Sequence, residues 1–110
     1  MTVYISGPIS AYLPACVPIF ATAAELLRSR GYSVINPLEL PHNHDKQRHS
    51  FMLECITCLV NCDAIYILDN YELSKGTRVD IYIARYLELL IFFAQDDTLP
   101  LVCPQPSPLP

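Results

Sequence analysis

Residues 63–69 read DAIYILD, five consecutive apolar residues fenced by two aspartates. A β-branched and aromatic run of that kind has no polar side to turn toward water, so it predicts a strand covered on both faces. Such strands belong to parallel sheets with a helix layer on each side, and the rest of the chain must supply those layers. It does so in alternation. Residues 2–6, TVYIS, are another short strand-like run, stopped by Gly7-Pro8. Pro18 suits the first turn of a helix in which Ile19, Phe20, Ala23, Leu26 and Leu27 recur at helical spacing. Arg28 and Arg30 fall in its last turn, where cations suit the dipole, and Gly31 supplies the stop.

A second strand follows over residues 32–36, closed by Pro37, and residues 38–49 form a polar loop holding all three histidines. The next helix is predicted over 50–62, with Met52, Cys55, Ile56 and Leu59 on one stripe. Residues 71–75 are a loop, and a third helix starts near Gly76 and turns Val79, Ile83, Leu87 and Leu90 inward. The greasy run 86–94, broken by Glu88, reads as a helix end running into a buried fourth strand at 90–93. The order β-α-β-α-β-α-β predicts an α/β fold: a small three-layer α/β/α, Rossmann- or flavodoxin-like parallel sheet of about four strands. Ligands of such sheets bind beyond the carboxyl ends of the strands, which points at residues 6–10, at Asn36 onward and at residues 69–80.

Composition narrows the function classes. The 110 residues fit one domain, and 52% hydrophobic against 16% charged residues supply a core. A net charge of -4 argues against broad nucleic-acid binding, though it leaves room for one small anionic ligand. No stretch approaches the ~20 apolar residues of a membrane span. The first residues lack a charged segment followed by an apolar one, and the cysteine count of five is odd, so reduced thiols and a cytoplasmic location are expected. Five of the last eleven residues are proline, so residues 95–110 are expected to be an extended tail on a domain spanning 1–94.

Two segments carry candidate chemistry. In YISGPIS, residues 4–10, Gly7 lets backbone approach a ligand closely, and Ser6 and Ser10 offer uncharged hydroxyls. In LSKGTRVD, residues 73–80, Ser74, Gly76 and Thr77 present backbone amides and hydroxyls to an anion at a helix start. Lys75 and Arg78 add charge there, and Asp80 lies in the first turn, able to face the same pocket. Each segment alone also reads as ordinary structure: a strand-to-loop turn and a capped helix. Cys55, Cys58 and Cys62 share one helix face and could ligate zinc with His42, His44 or His49. They sit among Ile56, Leu59 and Val60 instead of on a C-x2-C turn, so packing as small hydrophobes is the reading taken, with no metal. Tyr66, Tyr82 and Tyr86 read as core or subunit-contact residues, and HNHD, residues 42–45, as a solvated loop.

YISGPIS, GYSVINP, CDAIYIL and ELSKGTRVD, taken in order, resemble the nucleoside 2-deoxyribosyltransferase-like family, including its short phage and bacterial members and its relatives that hydrolyse deoxynucleoside monophosphates. The resemblance covers roughly residues 3 to 92 and implies cleavage or transfer at an N-glycosidic bond, without a cofactor, on a small-molecule nucleoside or nucleotide. It implies that a glutamate attacks C1′ to form a covalent intermediate, a carboxylate being suited to an oxocarbenium-like transition state. The matching position is Asp80. Tyr4 matches a tyrosine that places the nucleophile, and Ser6, Gly7, Pro8, Ile9, Asn36, Asp69, Ser74, Gly76 and Thr77 match the pocket. A second acid, expected eight residues before Asp63, is here Cys55, with Glu54 beside it. Asp for Glu shortens the arm by about 1 Å, a displacement that can cost ~100-fold in rate. Two expectations follow: a glycosyl-transferring or hydrolysing enzyme, and a non-catalytic protein that sequesters a nucleotide. The resemblance also implies a homo-oligomer.

Overall fold

The computed structural model describes residues 1–9, 16–40, 48–69 and 71–96. Four strands, β1 (Thr2–Ser6), β2 (Ser33–Ile35), β3 (Ala64–Ile67) and β4 (Leu90–Phe93), alternate with three helices, α1 (Cys16–Ser29), α2 (Arg48–Leu59) and α3 (Lys75–Tyr86). All pairings are parallel and the strand order is β2-β1-β3-β4. The predicted α/β architecture is therefore the observed one. Short 3-10 turns lie at Pro37–Glu39, Tyr71–Leu73 and Ala94–Asp96, the first running from the expected strand stop into the expected loop and the second inside an expected loop. Helix α2 begins before the predicted position 50 and ends before 62.

Strand pleating sorts the core into two halves. Val3 and Ile5 of β1, with Ala64 and Tyr66 of β3 and Leu68 after it, pack on Phe20, Ala23, Ala24 and Leu27 of α1. Tyr4, Ile65 and Ile67 point the other way, onto Cys55 and Leu59 of α2, Cys62 beyond it, and Ala84 of α3. Strand β3 is buried at every position, as its continuous apolar run requires. Strand β4 is only half-buried, because it lies at an edge and pairs with β3 alone. Helix α1 lies on one face and α2 with α3 on the other, as right-handed crossovers dictate when strand order reverses at β1. No helix among the described residues is long and apolar enough to cross a membrane.

Two expected helix faces are corrected. In α1, Ile19 and Leu26 are exposed, and the buried stripe is Phe20, Ala23, Ala24 and Leu27. In α3 the buried residues are Thr77, Asp80 and Ala84, whereas Val79 and Leu87 are exposed. Leu90 belongs to β4 and is itself half-exposed. Helix α3 thus turns Thr77 and Asp80 inward and leaves Lys75 and Arg78 exposed, a choice that apolar periodicity cannot reveal.

Candidate active site

The reversal of strand order lies between β1 and β3, and their carboxyl ends open beside the start of α3. Ser6 shares the parity of Tyr4 on β1, so its side chain leaves the sheet on the α3 side. There it meets the inward face of that helix. The Ser6 hydroxyl donates to Asp80 Oδ2 at 2.6 Å, and its oxygen lies 3.2 Å from Thr77 Oγ1. A serine has one proton to give. With that proton on the carboxylate, the Thr77 hydroxyl donates to Ser6, forming a directed chain from Thr77 through Ser6 to Asp80. All three side chains are buried.

Local structure explains why the helix begins where it does. Ser74 is the N-cap, in extended conformation, and its hydroxyl accepts from the Thr77 backbone N–H at 3.1 Å. Thr77 and Asp80 stand three residues apart and so share one helix face. Gly76 sits in the same turn beside Met52 of α2. On the β1 side, Gly7 passes so close to Leu68 that an added Cβ would lie 2.8 Å from two of its side-chain atoms. Any larger residue there would push the β1 exit away from β3.

Burial governs the electrostatics. Asp80 is only 6% exposed, and Oδ1 is buried with no hydrogen-bond partner among the described residues. Loss of hydration raises its carboxyl from 3.8 to about 6, against the pull of the Ser6 hydrogen bond. Tyr4 is buried too, and burial, followed by the Asp80 charge, pushes its phenol far above the ordinary range. The phenol therefore stays protonated, and it is hydrogen-bonded to Cys55. Burial lifts the Cys55 thiol to about 11 despite that bond, so it is a neutral thiol at physiological pH.

The other positions singled out in the sequence divide. Asn36 is buried, and its side-chain oxygen accepts from Leu38 N at 3.0 Å, capping the 3-10 turn after β2. Asp69 and Ile9 are exposed and Pro8 is half-buried, all beyond the strand ends. Ser10, His42 and His44 lie outside the described residues, as does Cys103. Cys55 and Cys62 are buried and Cys58 is half-buried, with free thiols. Among the described residues no group of three or more His, Cys, Asp or Glu could hold a metal ion. Sequence reasoning missed the direct Ser6–Asp80 bond, for which the one available signal was the shared parity of Tyr4 and Ser6 on β1.

Residues 1–93 match a family described as a domain of unknown function, DUF4406. No curated protein matches the chain. Among solved structures, a 2-deoxyribosyltransferase from the psychrotolerant bacterium Bacillus psychrosaccharolyticus, described as a biocatalyst for the synthesis of antiviral and antitumoral nucleosides, superposes with a TM-score of 0.68. That likeness covers 84% of this chain and 71% of the other at 18% identity, so it is a likeness of fold. The chain belongs to the DUF4406 family and carries a deoxyribosyltransferase-like fold.

Proposed function

We propose that this protein binds a deoxynucleoside or its 5′-monophosphate at the carboxyl ends of β1 and β3 and breaks its N-glycosidic bond, with Asp80 as nucleophile. The observation that carries the reading is Oδ1 of Asp80, a buried carboxylate oxygen beside the strand-order reversal that has no hydrogen-bond partner among the described residues. A buried acceptor without a donor costs free energy in the resting protein, and an electron-poor ligand atom would relieve that cost. In the first step an Oδ1–C1′ bond forms as the C1′–N bond breaks. The bonding pair leaves with the base, which takes a proton from solvent. Water or an acceptor base then attacks C1′ and frees the Asp80 carboxylate. Tyr4, fixed in its protonated form, orients the site, while Gly7, Pro8, Ile9, Asp69, Ser74 and Gly76 border the ligand.

The test is incubation with a panel of deoxynucleosides and monophosphates, separating bases, nucleosides and intact protein by mass. Free base or a sugar adduct on the wild type, absent in Asp80→Ala, is the expected result. Equal turnover by that variant removes Asp80 from the mechanism.

One observation favours a second reading. Cys55 stands where the resemblance expects an acid, and its buried thiol stays protonated, so it cannot supply a carboxylate's charge. A protein so altered could hold a nucleotide without cleaving it, and stoichiometric retention with no product would be its signature. We further propose a homo-oligomer, supported by the apolar outer surface of α2 and α3. Ile56, Val60, Tyr82, Ile83, Tyr86 and Leu87 line a shallow groove there, and Tyr82 and Tyr86 are 76% and 74% exposed.

A further inference from the structure

We infer that Ser6 is a positioning residue: by holding Oδ2 of Asp80 it fixes the carboxylate's rotation and leaves Oδ1 as the oxygen that meets the ligand. The inference rests on the nucleoside reading for what Oδ1 meets, but the clamp itself stands on geometry. Two observations carry it. The first is the 2.6 Å contact from the Ser6 hydroxyl to Oδ2, within the roughly 2.5–2.7 Å range of a charge-assisted O–H···O⁻ bond. The second is the asymmetry it creates: Oδ2 has a donor, and Oδ1, equally buried, has none among the described residues.

A free carboxylate turns about its terminal bond and presents either oxygen, since that torsion is broad and roughly two-fold. Here one orientation is held by a hydroxyl that is itself held. Thr77 lies 3.2 Å from the Ser6 oxygen, and donation from Thr77 polarises the Ser6 O–H toward Asp80. Ser6 is anchored to the rigid β1–β3 ladder, pairing with Ile67, and Leu68 N donates to the Ser6 carbonyl at 2.9 Å. Asp80 rides on α3. The clamp therefore ties the helix that carries the carboxylate to the sheet that carries Tyr4. Ser6 is 3% exposed with its hydroxyl already engaged, so it has no free donor to offer a ligand.

The clamp also acts during the proposed chemistry. When Oδ1 bonds C1′, Oδ2 becomes the carbonyl oxygen of the glycosyl ester and still accepts from Ser6. When that ester is displaced at C1′, the C1′–Oδ1 pair returns to the carboxylate, and the Ser6 donor stabilises the charge that reappears. A ligand-binding serine would act on KM. A positioning serine acts on kcat and on the proton affinity of Asp80.

The experiment compares wild type, Ser6→Ala, Ser6→Thr and Thr77→Val. The carboxyl carbon of Asp80 is titrated by NMR in 13C-aspartate-labelled protein, alongside pH profiles of base release. In Ser6→Ala the titration midpoint rises by about one pH unit, the scale of one hydrogen bond to a charged group. The acid limb of the rate moves with it, kcat falls about tenfold and KM is unchanged. Ser6→Thr, which restores a hydroxyl, returns the midpoint toward wild type. Thr77→Val, which leaves Ser6 in place, shifts it in the same direction by less, and keeps the test available if Ser6→Ala fails to fold. An unchanged midpoint in Ser6→Ala, or in Thr77→Val where that is the folded variant, overturns the clamp whether or not the wild type turns over. A shifted midpoint with no base release from the wild type leaves the clamp standing and overturns the glycosidic reading.

Discussion

The two sides of helix α3 each break the usual rule in part, although Ile81, Ile83 and Ala84 keep to the core and Lys75, Arg78 and Arg85 to the surface. Its inner stripe carries Thr77 and Asp80 before reaching Ala84, and its outer stripe carries Val79, Tyr82, Tyr86 and Leu87. An ordinary surface helix buries its apolar stripe and wets its polar one. An inward carboxylate lowers stability, and an outward aromatic surface leaves apolar area in water, so each side is retained at a cost that folding alone does not explain. The inner side points to chemistry, and the outer side to another surface. Each can be broken separately.

The largest effect is expected at the inner stripe. Asp80→Asn keeps the shape of the side chain and removes its charge, and base release should fall at least ~1,000-fold, the scale seen when a nucleophile is removed. The same substitution should leave the protein more stable at neutral pH. Raising a carboxyl from 3.8 to about 6 corresponds to about 3 kcal/mol of destabilisation at about 1.4 kcal/mol per unit. Urea unfolding at pH 7 should place the Asn variant above wild type by up to that amount. A variant that loses both activity and stability would mean that Asp80 is a structural partner and not a strained reactive group.

The pH dependence sharpens the point. Folding raises the proton affinity of Asp80, so the folded state holds its proton where the unfolded chain has already lost it. The contribution from this group is fully present below about pH 4 and is lost as the pH rises through about 6. Activity should run the opposite way, since the proposed attack on C1′ requires an ionised carboxylate. Wild-type unfolding free energy should therefore decline between pH 4 and 6 relative to Asp80→Asn, across the window in which the rate rises. Parallel stability profiles for the two proteins would contradict the burial argument.

How much of this was legible in the sequence depends on which stripe is considered. The sheet was readable because β3 has no polar residue to misplace and because Gly31 ends α1 with a positive φ of 97°. The convergence of the β1 exit and the α3 start was readable from topology, since both follow strands that pair side by side. The facing of α3 was not. Hydrophobic periodicity places Ile83 against the core correctly but also assigns Val79 and Leu87 inward, because it assumes that apolar residues seek the core of their own subunit. Here Thr77 and Asp80 are buried alongside Ala84 and held by Ser6, and no local pattern encodes a bond spanning 74 residues in sequence.

A smaller effect is expected on the outer stripe. Replacing Tyr82 and Tyr86 together by Lys should convert an assembled protein to monomer in sedimentation velocity. The unfolding free energy measured in dilute solution should change by less than about 0.5 kcal/mol, because both rings are largely in water within one chain. A large loss of stability at low concentration would instead place the rings in an intrachain role.

The smallest effect supplies the control for both stripes. Helix α3 ends with Glu88 at a positive φ of 59°, while Leu89 N donates to Ala84 O at 2.9 Å and Glu88 N to Arg85 O at 3.1 Å. This is the same helix stop that Gly31 provides for α1, made by a residue with a Cβ that disfavours it. Glu88→Gly should relieve that strain and raise stability by about 0.5–1 kcal/mol, net of the freedom glycine adds to the unfolded chain. It touches neither the inner nor the outer stripe. Base release, the Asp80 titration midpoint and sedimentation should all stay at wild-type values, so a gain in midpoint denaturant alone is the expected outcome. If relaxing the end of α3 changed the Asp80 titration, the two stripes would be coupled through the helix as a whole, and the comparison between them would have to be made at its terminus.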